Sequence, residues 1–424
     1  MSTKDIEAEY EARLRRVITA ASNKEPDRVP IKPQMTAFAI DYYGHSIAEV
    51  TYNAQIGVDT ALRYLEEFQP DSSEGFYSNA GKGPILELIR PKSCVWPGAP
   101  DKRIAEDSYH QFIEFPVLEN EDMDFFERDY TGWLFRMGLP KVSGLLEPFA
   151  DWNTASLDVN YDLSKLATQV ARPEMRSLIE TLWKIDDLNK DIRKIQAAGS
   201  AKMKEMGFPS FSFMNLRNGV PFDVYSDYFR GTLDSMADMY ENRGLIERFI
   251  DERMEQTIAD LRTALKVDVQ AKANKWGRIT LHKGMDGFMN EEQYTNLYWK
   301  HLRMLIHEMT SAGLMCYVYT EGPYTSRLDH LTEVDKNMVV YHFEDVDLAL
   351  AKKKLGDIAC IAGGFRTSIV EHGTKQQVID EVRRILDICA PGGGYIFEGG
   401  AGIGKAPIEN VHAMFETLYE YGKY

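Results

Sequence analysis

Five apolar stretches in the C-terminal third each run into groups that can hold or move charge. GRITLHKGMDG ends at His282, Lys283 and Asp286, and LMCYVYTEG ends at Tyr319 and Glu321. NMVVYHFED ends at His342, Glu344 and Asp345, DIACIAGGF ends in glycines and Arg366, and GGYIFEGGAGIG carries Glu398. Carboxylates beside an imidazole can bind a divalent cation through oxygen and nitrogen. Each residue alone reads as a solvated strand end or a helix cap, and His342 as a core histidine. Their convergence on one rim carries the information. Glu321, His342 and Glu398 are the candidate ligands of one metal ion, with Glu321 and His342 as the candidate catalytic pair. Tyr319, His282, Asp286 and Asn215 are candidate substrate contacts. GGGYIFEGGAGIG has the glycine density of a phosphate cradle but lacks the Lys-Ser/Thr of a P-loop. Tight turns around a strand account for it.

The elements that must position these groups follow from periodicity. The five stretches read as buried strands separated by helices. In 292–312, Tyr294, Leu297, Tyr298, Leu302, Leu305 and Met309 fall on one helical face. TKQQVIDEVRRILDIC repeats the pattern with Val378, Val382, Ile385 and Leu386, and Thr374 is its expected N-cap. Strand–helix alternation with continuously apolar strands implies α/β architecture with a parallel sheet. A (β/α)8 TIM barrel fits best, and an open doubly wound sheet is the alternative. In such barrels the chemistry sits at the C-terminal strand ends. Upstream, a polar N-terminal helix spans roughly 4–21, a short strand runs from Val29 to Met35, and 36–70 is helical with a break at Tyr42-Tyr43-Gly44. Residues 70–150, rich in glycine, proline and aromatics, form an elaborated loop or hairpin insertion. FPSFSFMNL is a further strand, with Asn215 just beyond its apolar part. The whole chain, 1–424, reads as a single domain.

Composition narrows the function. Acidic residues outnumber basic ones by 65 to 49, for a net charge of −16. That disfavours nucleic acid and anionic membranes as partners. The four cysteines are scattered without a CxxC pair, which argues against a disulfide framework and a cysteine zinc ribbon. No secretory leader and no apolar run long enough to span a bilayer are evident. A cytoplasmic location is the expectation.

EHGTKQQVIDEVRRILDICAPGGGYIFEGGAGIGKAPIENVHAMFETLYEYGKY resembles the closing segment of the uroporphyrinogen decarboxylase superfamily. RRVITAASNKEPDRVPI is similar to the family opening, and PFDVYSDYFRGTLDSMADMYENRGLIERFIDE to an internal family segment. The resemblance implies a (β/α)8 barrel. Porphyrinogen decarboxylases carry an arginine motif after the first strand. The matching stretch here is IKPQMTAFAIDYYG, without those arginines, so porphyrinogen decarboxylation is not expected.

The other large branch holds zinc methyltransferases that serve corrinoid proteins. Their His-x-Cys pair aligns with Tyr319-Thr320-Glu321, and their later Cys with Ala401. By resemblance, the metal is either lost or rebuilt on other ligands. In the rebuilt reading Glu321 and His342 occupy ligand positions and Glu398 is the third. Tyr319, Glu308, Asp286 and His282 are substitutes. This resembles the O-demethylase methyltransferases, which cleave phenyl methyl ethers at zinc. The implied cofactors are zinc and a cobalamin carried by a separate corrinoid protein, and the substrate is a small methyl donor. Methyl transfer to a thiol or tetrahydrofolate, and a metal-free tetrapyrrole- or corrinoid-binding role, remain as alternatives. A homodimer is compatible with all of them.

Overall fold

The computed structural model describes residues 3–72, 75–152, 163–215, 219–268 and 275–424. Two short strands, β1 (Cys94–Val95) and β2 (Gln111–Phe112), pair antiparallel as a small ribbon. The main sheet has six parallel strands in sequential order: β3 (Ser212–Asn215), β4 (Lys275–Leu281), β5 (Met315–Pro323), β6 (Val339–Asp345), β7 (Cys360–Gly363) and β8 (Tyr395–Ile396). All five strand stretches expected in the C-terminal third are present.

The expected first strand, Val29 to Met35, is reduced to single bridges. Ile31 pairs parallel with Phe397; Lys32 N donates to Phe397 O and Phe397 N to Pro30 O, each at 2.9 Å. Pro30 and Pro33 bracket this contact, and a proline has no N–H for a ladder. The segment nevertheless extends the sheet by one parallel neighbour beyond β8. Asp71 then joins its far side, donating from N to Ile31 O at 2.8 Å and accepting from Ile31 N at 2.7 Å. A hydrogen-bonded closure back to β3 is not found among the described residues. The sheet is therefore α/β and parallel as expected, while a closed eight-strand ladder is not seen.

Helices cover the outer face. The stripe expected in 292–312 is buried throughout, as are Val378, Val382, Ile385 and Leu386. Thr374 caps the helix Lys375–Cys389 with a reciprocal bond to Gln377, which satisfies two orphan amide donors. Gly44, at φ +85°, supplies the break between helices Thr36–Tyr42 and Ile47–Tyr52. The helix Thr3–Ala21 buries Val17, Ala20 and Ala21 against Phe211, Trp276 and Tyr317. It thereby caps the inner face of the sheet. No described helix is long and apolar enough to cross a membrane.

Strand alternation places Trp276 and Arg278 of β4, Tyr317, Tyr319 and Glu321 of β5, and Val340, His342 and Glu344 of β6 on the inner face. Parallel register sets Tyr319 beside His342, and His342 beside Ala362. Cys316 and Cys360 are buried, as expected of small core residues.

Candidate functional site

Two polar groups occupy the inner face, one sealed in the interior and one at the rim. The interior group starts at Glu398, just beyond β8 and fully buried. Its Oε1 accepts from Lys32 Nζ at 2.9 Å, and its Oε2 accepts from Tyr317 OH at 2.6 Å. Oε2 also lies 2.7 Å from His342 Nδ1, which is itself 2.7 Å from Tyr317 OH. His342 Nε2 meets the carbonyl of Gly400 at 3.1 Å. Tyr319 stacks on the imidazole with centroids 4.3 Å apart. Burial alone would push the Glu398 carboxyl up. The Lys32 ammonium, with His342 and Tyr317, outweighs it and holds the group well below the ordinary carboxylate range.

The second group lies where strands end. His282, directly after β4, bonds through Nδ1 to the Asp227 carboxylate. Lys283 Nζ donates to Thr232 Oγ1 at 2.9 Å and lies 3.2 Å from Asp227 Oδ1. Behind them sits buried Asp223. It accepts from His282 N at 3.1 Å, Lys283 N at 2.9 Å and Tyr298 OH at 2.7 Å. The strand end is thus clamped to the helical turn that follows β3.

The charges are coupled. The Asp227 hydrogen bond, helped by the Asp223 and Glu321 carboxylates, overrides burial and lifts the His282 pKa to about 9. The ring is an imidazolium at neutral pH, and no partner among the described residues meets its Nε2. Burial raises Asp223 to about 6 against the pull of His282 and Tyr298. Burial also raises Glu321, aided by Glu344 and Asp227 and opposed by His282 and Arg278. The Arg278 guanidinium lies 5.0 Å from the Tyr319 ring centroid. Glu344 accepts from Gly322 N at 2.6 Å, which fixes the chain just after Glu321.

Several expected site residues are therefore split between two places. His342 and Glu398 touch each other in the interior, while Glu321 shares the rim with His282. Asp286 is engaged by the Ser326 amide at 3.0 Å and hydroxyl at 2.7 Å. Glu308 pairs with Arg262 on the outer helices. Asn215 ends β3, paired with Arg278 in register, and its side chain lies outside the described residues.

The expected metal trio does not fit a cation. Both ring nitrogens of His342 are engaged, and the Glu398 charge is already matched by Lys32. No group of three His, Cys, Asp or Glu able to hold a metal occurs among the described residues.

Sequence reading missed Lys32, Asp223, Asp227 and Arg278. A signal existed for each. Lys32 interrupts an apolar segment, Arg278 alternates with apolar residues inside β4, and Asp223 and Asp227 stand four apart in the PFDVYSD stretch.

A parallel α/β sheet with its titratable groups gathered at the C-terminal strand ends defines the class of fold. The sequence pattern of the family described as Uroporphyrinogen decarboxylase (URO-D) matches residues 179–421. The chain belongs to that family. Among solved structures, a methyltransferase from Methanosarcina mazei superposes with a TM-score of 0.55 at 14% identity, covering 96% of this chain and 98% of its own. Identity that low speaks for the fold alone. No curated protein matches the chain in sequence.

Proposed function

We propose that this protein is a methyltransferase that takes the methyl group of a methyl ether, a methoxylated aromatic, and passes it to the cob(I)alamin of a separate corrinoid protein. The observation that carries the reading is His282, at the end of β4, paired with Asp227 in a URO-D family fold. The docked corrinoid supplies the electron pair that accepts the methyl group.

The task of this chain is the leaving oxygen. As the carbon–oxygen bond breaks, its electron pair stays on oxygen and yields a poor leaving group, an aryloxide. His282 donates its Nε2 proton to that oxygen and becomes neutral imidazole, still bonded through Nδ1 to Asp227. A phenol hydroxyl titrates near ~10, close to His282 at about 9. The ring keeps its proton at neutral pH and can give it up to an oxygen that is taking on charge. Asp223 holds the His282 and Lys283 backbone amides, so the acid is positioned before substrate arrives. Arg278 and Glu321 set the field around it.

A second reading, acceptor binding without chemistry, draws support from the engaged interior donors. One assay separates the two: purified protein, 2-methoxyphenol and free cob(I)alamin under anaerobic conditions. Release of catechol with loss of cob(I)alamin supports methyl transfer. No catechol from any methoxylated phenol, with the corrinoid still bound, supports the binding role.

A further inference from the structure

The helix Thr232–Glu241 begins beside the rim, and its first turn has no side-chain cap of its own. Gly231 stands at the N-cap position with φ +77°. It has no side chain to offer the amides that open a helix. A distant residue takes that place. Glu114, just beyond β2, accepts from Thr232 N at 2.5 Å and from Thr232 Oγ1 at 2.8 Å. A carboxylate there meets both an orphan amide and the positive end of the helix. A Cβ at position 231 would stand only 3.2 Å from Glu114 Oε1, so glycine keeps the approach open.

The same threonine hydroxyl works in both directions. It donates to Glu114 Oε2 and accepts from Lys283 Nζ at 2.9 Å. Lys283 Nζ in turn lies 3.2 Å from Asp227 Oδ1 and 3.9 Å from Glu114 Oε2. The ammonium is thus shared between two carboxylates, and Asp227 is the one that holds His282. The Lys283 and Asp227 side chains are each 13% exposed, so water screens their attraction only in part. The chain that carries Glu114 is also fixed to the π-helical turn Ser226–Arg230 that carries Asp227. Val117 N and Leu118 N both donate to Phe229 O at 2.8 Å, and Arg230 reaches Leu118 O at 2.6 Å.

We infer that Glu114 is a positioning residue for His282: by holding Thr232 and drawing on Lys283, it leaves Asp227 with uncompensated charge for the imidazole ring. The effect is relayed. Without the Glu114 carboxylate, Lys283 turns wholly to Asp227, and the Asp227–His282 bond weakens. Asp223 behind the ring and Glu321 on β5 also face His282, and the change does not touch them. The inference rests on the methyl-ether reading only for the role of acid given to His282, and its test needs no substrate.

The test is an NMR titration of the His282 ring in the full chain, with urea unfolding measured alongside. Glu114→Gln, at a side chain 37% exposed, is expected to lower the midpoint from about 9 by about half a pH unit or more. Lys283→Met is expected to raise it, because a cation leaves the neighbourhood of Asp227 and His282. In the Lys283→Met background, Glu114→Gln is expected to lose more than about half of its effect, the coupling that a double-mutant cycle reads. An equal effect in both backgrounds means that the carboxylate acts through space alone, and overturns the relay. A loss of stability with an unmoved midpoint leaves Glu114 as a helix cap and overturns the inference. A coupled shift without any methyl transfer keeps the inference and overturns the functional reading instead.

Discussion

Lys32 Nζ donates to Glu398 Oε1 at 2.9 Å with both side chains fully buried, joining the segment after the first helix to the end of the last strand. The contact spans nearly the whole chain and closes one flank of the sheet. Two charges taken from water are tolerated because each has the other, with Tyr317 and His342 completing the shell of Glu398.

Removing one partner leaves the other charge buried and unmatched. Lys32→Met is expected to lower unfolding free energy by about 3–5 kcal/mol, read from a urea transition. A loss below about 1 kcal/mol would mean that the pair is hydrated and the interior network is not sealed.

His282 gives the clearest pH dependence. Its folded pKa, about 9, stands above its ordinary value of 6.5. Stability from the imidazolium is therefore fully present below about 6.5 and fades as pH rises through about 9. An NMR titration of the ring should show the high midpoint, and Asp227→Asn should bring it down. A midpoint near 6.5 in the unsubstituted protein would show that the Asp227 contact does not persist in solution.

Much of the framework was legible because it depends on local rules. The 3.6-residue stripes and the Thr374 cap are set by short-range chemistry. The first strand was not, because Pro30 and Pro33 remove ladder donors while the apolar pattern remains. His342 and Glu398 looked like rim ligands because each follows an apolar run. Sequence does not show that Lys32, far away in the chain, has already neutralised the carboxylate. Asp227 was hidden for a related reason. It lies on the π-helical turn after β3, outside the strand ends that drew attention. Its role emerges only when β4 brings His282 against it.

Metal content distinguishes the interior network from a ligand set. The zinc content of purified protein should be the same in the unsubstituted chain and in Glu321→Ala, measured by elemental analysis after dialysis. One zinc per chain that disappears in Glu321→Ala would restore the Glu321, His342 and Glu398 site and require Lys32 to move away from Glu398.

Tyr298→Phe probes the clamp behind the acid. It removes a hydrogen bond worth about 1 kcal/mol from the Asp223 carboxylate. That bond favours the charged form, so the Asp223 pKa should rise further above about 6. Infrared titration of the carboxyl band reads the shift. An unchanged band would show that Tyr298 does not donate to Asp223.

The most direct test is the single-turnover rate of methyl transfer from 2-methoxyphenol to cob(I)alamin, compared between the unsubstituted protein and His282→Gln. If His282 delivers the proton to the departing oxygen, the rate should fall about 10²–10⁴-fold while 2-methoxyphenol still binds. A His282→Gln protein that transfers the methyl group at the original rate would contradict that role.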